Sequence, residues 1–307
     1  MKAVVYEKFG APEVLQIKEI DKPKPKSNEV LIKVLATSVH RGDTRMRNLD
    51  LPVPFWQKIL ARVFFLGIFS PRKKILGMEL SGILEEVGNE VTQFNVGDEV
   101  FASTFYDNFG AYVEYKCMAD NSLLANKPNN ISFEEAATVP NGAFTALGII
   151  KEANIKNGQT VLIYGASGSV GSFAVQFAKN LGAFVTGVSS KIDMVKDLGA
   201  DKVIDYTKVD FSSKKEKYDV IIDAVGIYPK KSALKALKKQ GVYLNVHNVN
   251  SKFEQKDLVE LRDIIEAGLI RIFIDKTFSF HDIAEGHRYV ERGHKMGHVA
   301  VSLRDIS

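Results

Sequence analysis

The chain has 307 residues, of which 45% are hydrophobic, and this length is enough for about two domains with buried cores. Its 41 Lys and Arg against 37 Asp and Glu leave a net charge of +4 with the basic residues scattered, which gives little support for nucleic-acid binding. The N-terminus lacks the apolar stretch of a signal peptide, and no apolar segment is long enough to span a bilayer, so we expect a cytoplasmic protein. The single cysteine, Cys117, excludes an internal disulfide and a multi-thiolate metal site.

The first part of the chain, residues 1 to about 125, consists of short apolar runs separated by Gly, Pro, Asn and Asp. Strands are predicted at 30–35, 82–87 and 111–115. One biased segment, Lys22-Pro23-Lys24-Pro25-Lys26, is interpreted as a solvated, extended connector. This part is therefore predicted to be mostly β.

From residue 126 to about 265, buried strands alternate with amphipathic helices, which predicts a parallel sheet covered on both faces. The predicted strands are 160–164, 184–188, 203–205, 220–223 and 242–246. A helix that opens at Ser169 carries apolar residues at the spacing of one buried face: Val170, Phe173, Ala174, Phe177, Ala178 and Leu181.

A glycine-rich turn links the first of these strands to that helix, with the sequence Gly165-Ala166-Ser167-Gly168-Ser169-Val170-Gly171. Glycines let the backbone turn sharply and approach a pyrophosphate, while the N–H groups and positive dipole of the helix face the anion. The spacing is G-x-x-G-x-x-G rather than the commoner G-x-G-x-x-G, and such a turn can also need glycines for structure alone. Between strand and helix it predicts a dinucleotide site, with contacts from these residues: Ala166, Ser167, Gly168, Ser169 and Val170.

The end of the second strand of this region distinguishes NADPH from NADH. An acidic residue there would accept a hydrogen bond from a free ribose 2′-hydroxyl, but the sequence reads Ser189-Ser190-Lys191. Two hydroxyls and a cation suit the 2′-phosphate of NADPH, with a solvated Lys191 as the alternative. A later strand ending at Asp223 should reach the ligand crevice and add Ala224, Val225 and Gly226 to the cofactor site; Asp223 itself is open between a functional and a structural role.

Together these segments resemble the quinone oxidoreductase branch of the medium-chain dehydrogenase/reductase superfamily, the group of zeta-crystallin and the alkenal reductases. The similar segments cover nearly the whole chain: Ala3-Val4-Val5-Tyr6, 77–88, 96–100, 110–115, 138–140, 145–146, the glycine turn, 198–206 and 223–226. The resemblance implies an α/β fold, with a mostly β GroES-like domain at 1–125 joined by 270–307, and a doubly wound Rossmann domain at 126–269. It also implies that Thr145 lies beside the nicotinamide half of the cofactor, and that Lys191 and Tyr206 surround the adenosine phosphate.

The same superfamily contains zinc alcohol dehydrogenases, and the resemblance shows where their catalytic zinc would be held. Where those enzymes have a cysteine this chain has His40, and where they have Gly-His-Glu it reads Gly77-Met78-Glu79. Their third ligand falls at Asn141, so only His40 and Glu79 could bind zinc. The cysteine-rich lobe of a structural zinc is also missing from the sequence. We therefore predict a zinc-independent enzyme.

The predicted function is reduction of a small apolar acceptor, a quinone or an α,β-unsaturated carbonyl, by hydride transfer from NADPH. Such acceptors are electron-poor, so positioning against the nicotinamide supplies much of the rate. His40 and Asn141 are hypothesised to flank the nicotinamide and to hydrogen-bond the acceptor oxygen as negative charge develops, with the second proton coming from solvent. For His40 the alternative is a core or turn histidine satisfied by backbone. Two other functions stay open: a non-catalytic NADPH-binding protein, and a secondary-alcohol dehydrogenase with a rebuilt metal site.

The connection after the fifth Rossmann strand is short. Only nine residues, 247–255, separate that strand from a helix predicted to begin near Lys256. Family members usually have a longer segment here, which carries a further strand and part of the dimer-forming edge. Neither a sixth strand nor the usual homodimer therefore follows from the sequence.

An apolar helical stripe is predicted within 54–69, made of Phe55, Trp56, Ile59, Leu60, Val63 and Phe64. It could pack against the first domain or form a hydrophobic wall over the acceptor site. Contact with a membrane surface or a partner is the least favoured option, suggested by Arg72-Lys73-Lys74 downstream. The run is too short to span a bilayer.

Overall fold

The computed structural model of the chain describes residues 1–50, 54–63, 67, 70–247 and 252–304. The chain falls into two units: Met1–Asn141 with Glu254–Arg262 and Ile274–Ser307, and Gly142–Phe253 with Asp263–Phe273. This division lies inside two helices, α4 (Pro140–Ala153) and α8 (Gln255–Glu266), whereas the sequence places the boundaries at 126 and 270.

The first unit is built on a mixed sheet of seven strands and a separate two-stranded ribbon. The ribbon pairs β1 (Lys2–Val5) with β2 (Gln16–Glu19) in antiparallel fashion. The sheet contains β3 (Glu29–Ser38), β4 (Glu79–Val87), β5 (Glu99–Ser103), β6 (Tyr115–Ala119), β7 (Leu124–Asn126), β13 (Ile274–Ser279) and β14 (His298–Ser302). Its order is β13-β14-β3-β4-β5-β7, and β6 pairs with β3. The prediction of a mostly β first part is confirmed.

Strand β3 shows why this sheet forms, because its β-branched and apolar residues supply a continuous core. Leu31 and Ile32 are fully buried, as is Leu80 on the neighbouring β4. Truncating such a residue to alanine typically costs about 2–5 kcal/mol of the free energy of unfolding. The predicted strands at 30–35 and 82–87 therefore lie within observed strands.

The strand predicted at 111–115 is wrong, because this stretch makes single hydrogen bonds to two different segments instead of a ladder. Tyr112 N donates to Leu76 O at 3.1 Å, whereas Tyr112 O accepts from Val4 N at 2.9 Å. Val113 forms only an isolated bridge, and the strand β6 begins at Tyr115.

The helices of the first unit are short, and two of them begin with reciprocal caps. They are α1 (Arg41–Asn48), α2 (Phe55–Ala61), α3 (Phe133–Ala136) and α9 (Ile283–Glu291). At the start of α1, the His40 side chain accepts from Gly42 N, and the Asp43 side chain accepts from His40 N. Each contact satisfies an N–H that the helix itself leaves without a partner. On α2, Trp56 is 59% exposed and Leu60 is 45% exposed, so these two members of the predicted stripe are not core residues.

The second unit is a five-stranded parallel sheet with helices, as the alternating pattern predicts. Its strands are β8 (Thr160–Tyr164), β9 (Phe184–Val188), β10 (Lys202–Ile204), β11 (Tyr218–Asp223) and β12 (Leu237–Asn245), in the order β10-β9-β8-β11-β12. Its other helices are α5 (Ser169–Asn180), α6 (Ile192–Asp197) and α7 (Lys230–Lys235). On α5, Phe173, Ala174, Phe177 and Ala178 are buried, which confirms the middle of the predicted face. Val170 is only half-buried, and the prediction of Leu181 is wrong, because this residue follows the end of the helix and is exposed.

The fifth strand begins earlier than predicted. Its first residue, Leu237, pairs with Tyr218, and the register then shifts so that Val242 pairs with Val220. The residues between are mostly exposed and polar, so the apolar pattern starts only at Val242. Within the described ranges, β12 is the last strand on that side of the sheet. None of the described helices combines the length and the apolar character needed to cross a membrane.

Candidate functional site

The glycine turn between β8 and α5 has the backbone geometry of an anion site. Gly165 has φ +78°, in the left-handed region that favours glycine, and a Cβ there would lie 2.3 Å from Val225 Cγ2. A Cβ on Gly171 would lie 2.1 Å from the carbonyl oxygen of Gly165. Gly168 is the N-cap of α5. Because glycine has no side chain, the N-cap supplies no side-chain acceptor to the first N–H groups of this helix. These N–H groups suit a pyrophosphate.

The end of β9 meets the glycine turn through two hydroxyl groups. Ser189 Oγ donates to Ser167 Oγ at 2.7 Å and accepts from Lys191 N at 2.9 Å. Ser189 is buried, Ser190 is exposed and Lys191 is half-buried at the start of α6. The structure therefore brings Ser167, Ser189 and Lys191 together at one edge of the sheet.

A second loop at this edge is held by Asp223. This carboxylate is fully buried and accepts from the backbone nitrogens of Val225, Gly226 and Tyr228 at 3.0, 2.8 and 2.9 Å. Gly226 has φ +81°, and a Cβ on it would lie 2.3 Å from His247 Nε2. Asp223 thus has the structural role that the sequence left open, because it fixes Val225 against Gly165.

Two of the predicted cofactor residues lie on other segments of the second unit. Tyr206 is 46% exposed, and its ring centroid lies 6.4 Å from that of Tyr164, the residue before the glycine turn. Thr145 lies on α4 and is half-buried. Their contact with the cofactor stays a prediction.

In the first unit, a buried polar cluster surrounds Glu79 at the start of β4. Glu79 Oε1 accepts from Ser38 Oγ, and Oε2 accepts from the backbone and side-chain nitrogens of Asn141 at 2.9 and 3.1 Å. Burial raises the pKa of Glu79 to about 7, although the hydrogen bonds from Ser38 and Asn141 and the charge of Lys295 act to lower it. The carboxyl group is thus protonated more readily than an exposed one.

Asn141 is fully engaged inside this cluster. Besides its two bonds to Glu79, its Nδ2 donates to Met78 O at 3.0 Å, and its Oδ1 accepts from Ser103 Oγ at 2.9 Å. An amide that makes these bonds holds Glu79 and the end of β5 in place. This arrangement does not offer Asn141 as a donor to an acceptor molecule, in contrast to the sequence hypothesis, because its amide hydrogens point at protein oxygens.

His40 combines a turn role with a free donor. Its Nδ1 accepts from Gly42 N at 3.1 Å, so the neutral ring carries its proton on Nε2, for which the described residues show no acceptor. Burial, together with the charges of Lys295 and Arg45, lowers the pKa of His40 to about 4. His40 is therefore both the backbone-satisfied turn residue and a neutral hydrogen-bond donor.

Sequence reasoning missed two neighbours of this cluster. Lys295, in the loop between α9 and β14, interacts electrostatically with both Glu79 and His40, and burial lowers its pKa to about 8. Asp43 is fully buried and its Oδ1 accepts from Gly77 N at 2.9 Å, so one carboxyl group links the His40 turn to the Gly77-Met78-Glu79 segment. The His40-x-x-Asp43 cap pattern could have revealed Asp43. Lys295 has no local signal, since it lies far from His40 in sequence.

The residues at the positions that correspond to the zinc ligands of the alcohol dehydrogenases do not fit a zinc ion. His40 uses Nδ1 for its cap, both Glu79 oxygens accept hydrogen bonds, and Asn141 offers an amide. A catalytic zinc needs three protein ligands from His, Cys or carboxylate side chains. Among the residues described, no group of three or more His, Cys, Asp or Glu is placed to hold a metal ion.

Comparisons with known proteins match both halves of the chain. The alcohol dehydrogenase GroES-like domain model matches residues 26–175, and the zinc-binding dehydrogenase model matches residues 169–275. The 2-methylene-furan-3-one reductase of Solanum lycopersicum is 31% identical over 324 residues, covering 98% of this chain and 79% of the relative. The chloroplastic NADPH-dependent alkenal/one oxidoreductase of Arabidopsis thaliana is 31% identical with the same coverage.

Solved structures agree with these matches. The quinone oxidoreductase from Coxiella burnetii superposes with a TM-score of 0.86 at 29% identity, covering 99% of both chains. The Escherichia coli quinone oxidoreductase complexed with NADPH superposes with a TM-score of 0.81, covering 99% of this chain and 100% of that one. At 23% identity, this second likeness shows the fold alone.

Proposed function

Because this chain belongs to the quinone oxidoreductase branch of the medium-chain dehydrogenase/reductase superfamily, we propose that it transfers a hydride from NADPH to a quinone or an α,β-unsaturated carbonyl. The relatives that are named for alkenals and for quinones support this acceptor class. The observation that carries the proposal is the meeting of the glycine turn with the end of β9, where Ser189 bonds Ser167 and no acidic residue stands beside Lys191.

The second unit would hold NADPH through the groups at this edge. The N–H groups at the start of α5 suit the pyrophosphate, and Ser190 with Lys191 suits the 2′-phosphate. Ala224, Val225 and Gly226 form the loop opposite, kept in place by Asp223. Bound NADPH supplies the hydride; the protein has to orient the acceptor and stabilise the charge that develops on it.

In the first unit, His40 is the residue that suits the acceptor. A neutral imidazole with its proton on Nε2 can donate a hydrogen bond to a carbonyl oxygen. The positive charge of Lys295, which acts on both His40 and Glu79, favours a developing oxyanion in the same place. Asn141 and Asp43 are positioning residues here, since they hold Glu79 and Gly77.

The test is NADPH oxidation with a panel of quinones and enones, using NADPH deuterated at nicotinamide C4. With an enone acceptor, deuterium is expected on a carbon of the product, because the hydride is transferred directly. With a quinone acceptor the hydroquinone exchanges its O–D with water, so only the oxidation of NADPH is followed. Binding of NADPH without turnover on every acceptor would support the non-catalytic alternative. The secondary-alcohol alternative is disfavoured by the missing zinc ligands, and alcohol oxidation that needs added zinc would revive it.

His40 itself is tested by His40→Asn, because asparagine is also a good N-cap and should keep α1 intact. Loss of the Nε2 donor is expected to lower kcat/KM about 100-fold, the range found for removal of one oxyanion donor. The exposed His281 provides the control variant His281→Asn. Equal activity of the two variants would contradict the role of His40.

A cytoplasmic location is part of the proposal, although the similar alkenal/one oxidoreductase of Arabidopsis thaliana is a chloroplastic protein. Imaging of the full chain with a C-terminal tag tests it. Signal confined to an organelle would reject it.

A further inference from the structure

A pocket of about 440 Å³ lies in the first unit, outside the Glu79 cluster. Four cationic side chains line it: Arg72, Lys73, Lys74 and Lys116. Asn108 and Phe109, from the turn that follows β5, form another part of its wall. Neither the hydride transfer nor the NADPH site uses these residues.

The positive charge at this pocket is only partly compensated. Lys73 Nζ donates to the uncharged Oδ1 of Asn108, and neither Lys73 nor Lys74 forms an ion pair with a described carboxylate. Lys116 lies 3.4 Å from Asp107 Oδ2 and forms an ion pair with it. The charge of Lys74 acts on Glu7, which itself pairs with Lys18 at 2.8 Å. Lys73 and Lys74 therefore supply positive charge at this pocket that no described carboxylate pairs.

The Lys22-Pro23-Lys24-Pro25-Lys26 segment reaches the same pocket. Pro23 is one of its lining residues, and Lys22 Nζ lies 3.9 Å from the ring centroid of Tyr115, another lining residue. Lys22 and Lys26 pair with Glu85 and Glu29, whereas Lys24 is exposed. Two basic segments that are far apart in sequence thus converge on one surface, and their combined potential attracts an anion.

An exposed aromatic turn adjoins these cations. Phe105 is 44% exposed and Tyr106 is 63% exposed, and the ring of Phe105 makes edge contacts with Tyr106 at 5.0 Å and with Phe109 at 5.6 Å. Asn108 and Phe109 both have positive φ, 61° and 60°, a backbone that bulky residues rarely adopt. The fold therefore holds these rings in an unusual turn beside Lys73 instead of burying them.

We propose that this basic and aromatic face, made of Lys24, Arg72-Lys73-Lys74, Lys116, Phe105 and Tyr106, binds the headgroups of anionic phospholipids at a membrane surface. Lysine and arginine near such a surface each contribute to binding, and aromatic rings with a polar edge favour the interface between headgroups and acyl chains. A free phosphate would need the cations but would give the exposed rings no contact. The pocket admits a phosphate group while the rings lie at the lipid boundary.

The face also adjoins the Glu79 cluster within the same unit. Thr104 N donates to Met78 O at 2.8 Å, and the next residue, Phe105, has its backbone nitrogen 3.4 Å from Ser103 Oγ. Apolar quinones and alkenals partition into lipid, so a docked enzyme would meet its acceptors at the surface where they accumulate. The lipid proposal itself does not depend on the reductase activity.

Vesicle flotation of the full chain tests the proposal, with phosphatidylcholine vesicles compared with vesicles that also contain phosphatidylserine. We expect binding only to the anionic vesicles, and weaker binding at higher salt. The double variant Lys73→Gln, Lys74→Gln should bind at least about tenfold more weakly. The matched control is Lys214→Gln, Lys215→Gln in the second unit, which changes the net charge equally and should bind as the unmodified chain does.

Two further measurements keep the result interpretable. Tyr106→Ser should weaken vesicle binding while leaving the melting temperature unchanged, because its side chain is exposed. Equal loss in both lysine double variants, or equal binding to neutral vesicles, would overturn the proposal. So would calorimetric binding of inorganic pyrophosphate that depends on Lys73 and Lys74 without any vesicle binding. NADPH oxidation with a water-soluble quinone, measured on the same samples, reports separately on the reductase function.

Discussion

The backbone and side-chain nitrogens of Asn141 donate to the same oxygen of Glu79, Oε2, at 2.9 and 3.1 Å. This double contact fixes the first residue of β4 to the first turn of α4. Glu79 accepts three hydrogen bonds, one from Ser38 and two from Asn141, and therefore has little capacity left to bind a metal ion. The position that holds zinc in other members of the superfamily has become a hydrogen-bonded support.

The first prediction concerns Glu79 and pH. Its pKa is raised from 4.5 to about 7, so the folded chain keeps a proton that the unfolded chain loses. The contribution of Glu79 to the free energy of unfolding is therefore fully present below pH 4.5 and is lost as pH rises through about 7. Glu79→Gln should flatten the fall of stability across this window, by at most about 1.4 kcal/mol per pH unit.

Urea unfolding at several pH values measures this slope. Burial raises the pKa of Asp43 to about 7 as well, so part of the slope of stability against pH should remain in Glu79→Gln. The exposed Glu90 supplies the control Glu90→Gln, which should leave the slope unchanged. A slope that is the same in Glu79→Gln and in the unmodified chain would disprove the assignment.

The second prediction concerns cofactor choice. NADPH should bind at least about tenfold more tightly than NADH, because a charge-assisted hydrogen bond to the 2′-phosphate contributes about 1.5–3 kcal/mol. Lys191→Ala should remove most of this preference without changing NADH affinity. Lys196→Ala, an exposed lysine on the same helix, is the control. Titration of NADPH and NADH into each protein measures this preference, and equal affinities for the two cofactors in the unmodified chain would contradict the prediction.

The third prediction is that activity survives prolonged chelation. His40 and Glu79 are two of the three ligands that a catalytic zinc would need, and both already make hydrogen bonds. Turnover should therefore be the same before and after dialysis against EDTA. Loss of turnover that only zinc restores would contradict it.

The fourth prediction assigns Asp223 to the cofactor loop. Asp223→Ala would leave the backbone nitrogens of Val225, Gly226 and Tyr228 without their acceptor. The cost of each is below the about 1–3 kcal/mol of a fully buried N–H, because these three bonds are only partly buried. We expect a lower melting temperature and weaker NADPH binding. Asp223→Asn retains one acceptor oxygen, so its melting temperature and NADPH affinity should lie between those of Asp223→Ala and those of the unmodified chain.

A matched comparison separates the loop from general instability. Asp219, at the other end of β11, accepts from Thr160 N and Oγ1 at 2.8 Å, so Asp219→Ala should lower stability as well. Only Asp223→Ala should weaken NADPH binding beyond what the loss of folded protein accounts for. Parallel losses in the two variants would assign Asp223 to stability alone.

The parts of the molecule that could be predicted from sequence are those with a local signal. The glycine turn, the buried face of α5 and the strands β8 and β9 follow from spacing within a few residues. The contact between Ser167 and Ser189 then follows from the parallel order of β8 and β9. The strand predicted at 111–115 failed because tertiary hydrogen bonds to Val4 and Leu76 override its apolar alternation.

The polar cluster in the first unit could be predicted only in part. His40, Glu79 and Asn141 were identified through the resemblance, but the engagement of Asn141 with Glu79 depends on packing that no spacing encodes. Lys295 acts on Glu79 and His40, which are distant from it in the chain. The contact of Tyr112 Oη with His287 Nε2 at 3.1 Å likewise joins two distant residues. A charged residue in a loop has the same appearance in a sequence whether it faces water or a buried carboxyl group.

The three glycines of the glycine turn, Gly165, Gly168 and Gly171, are not equivalent for protein engineering. A methyl group on Gly165 or Gly171 would come within 2.3 or 2.1 Å of a neighbouring atom, whereas at Gly168 the nearest atom is 3.4 Å away. Alanine should therefore be tolerated in the middle of the turn and rejected at both ends. A library that redesigns this turn for another dinucleotide can vary the central position freely only if the outer two are kept as glycine.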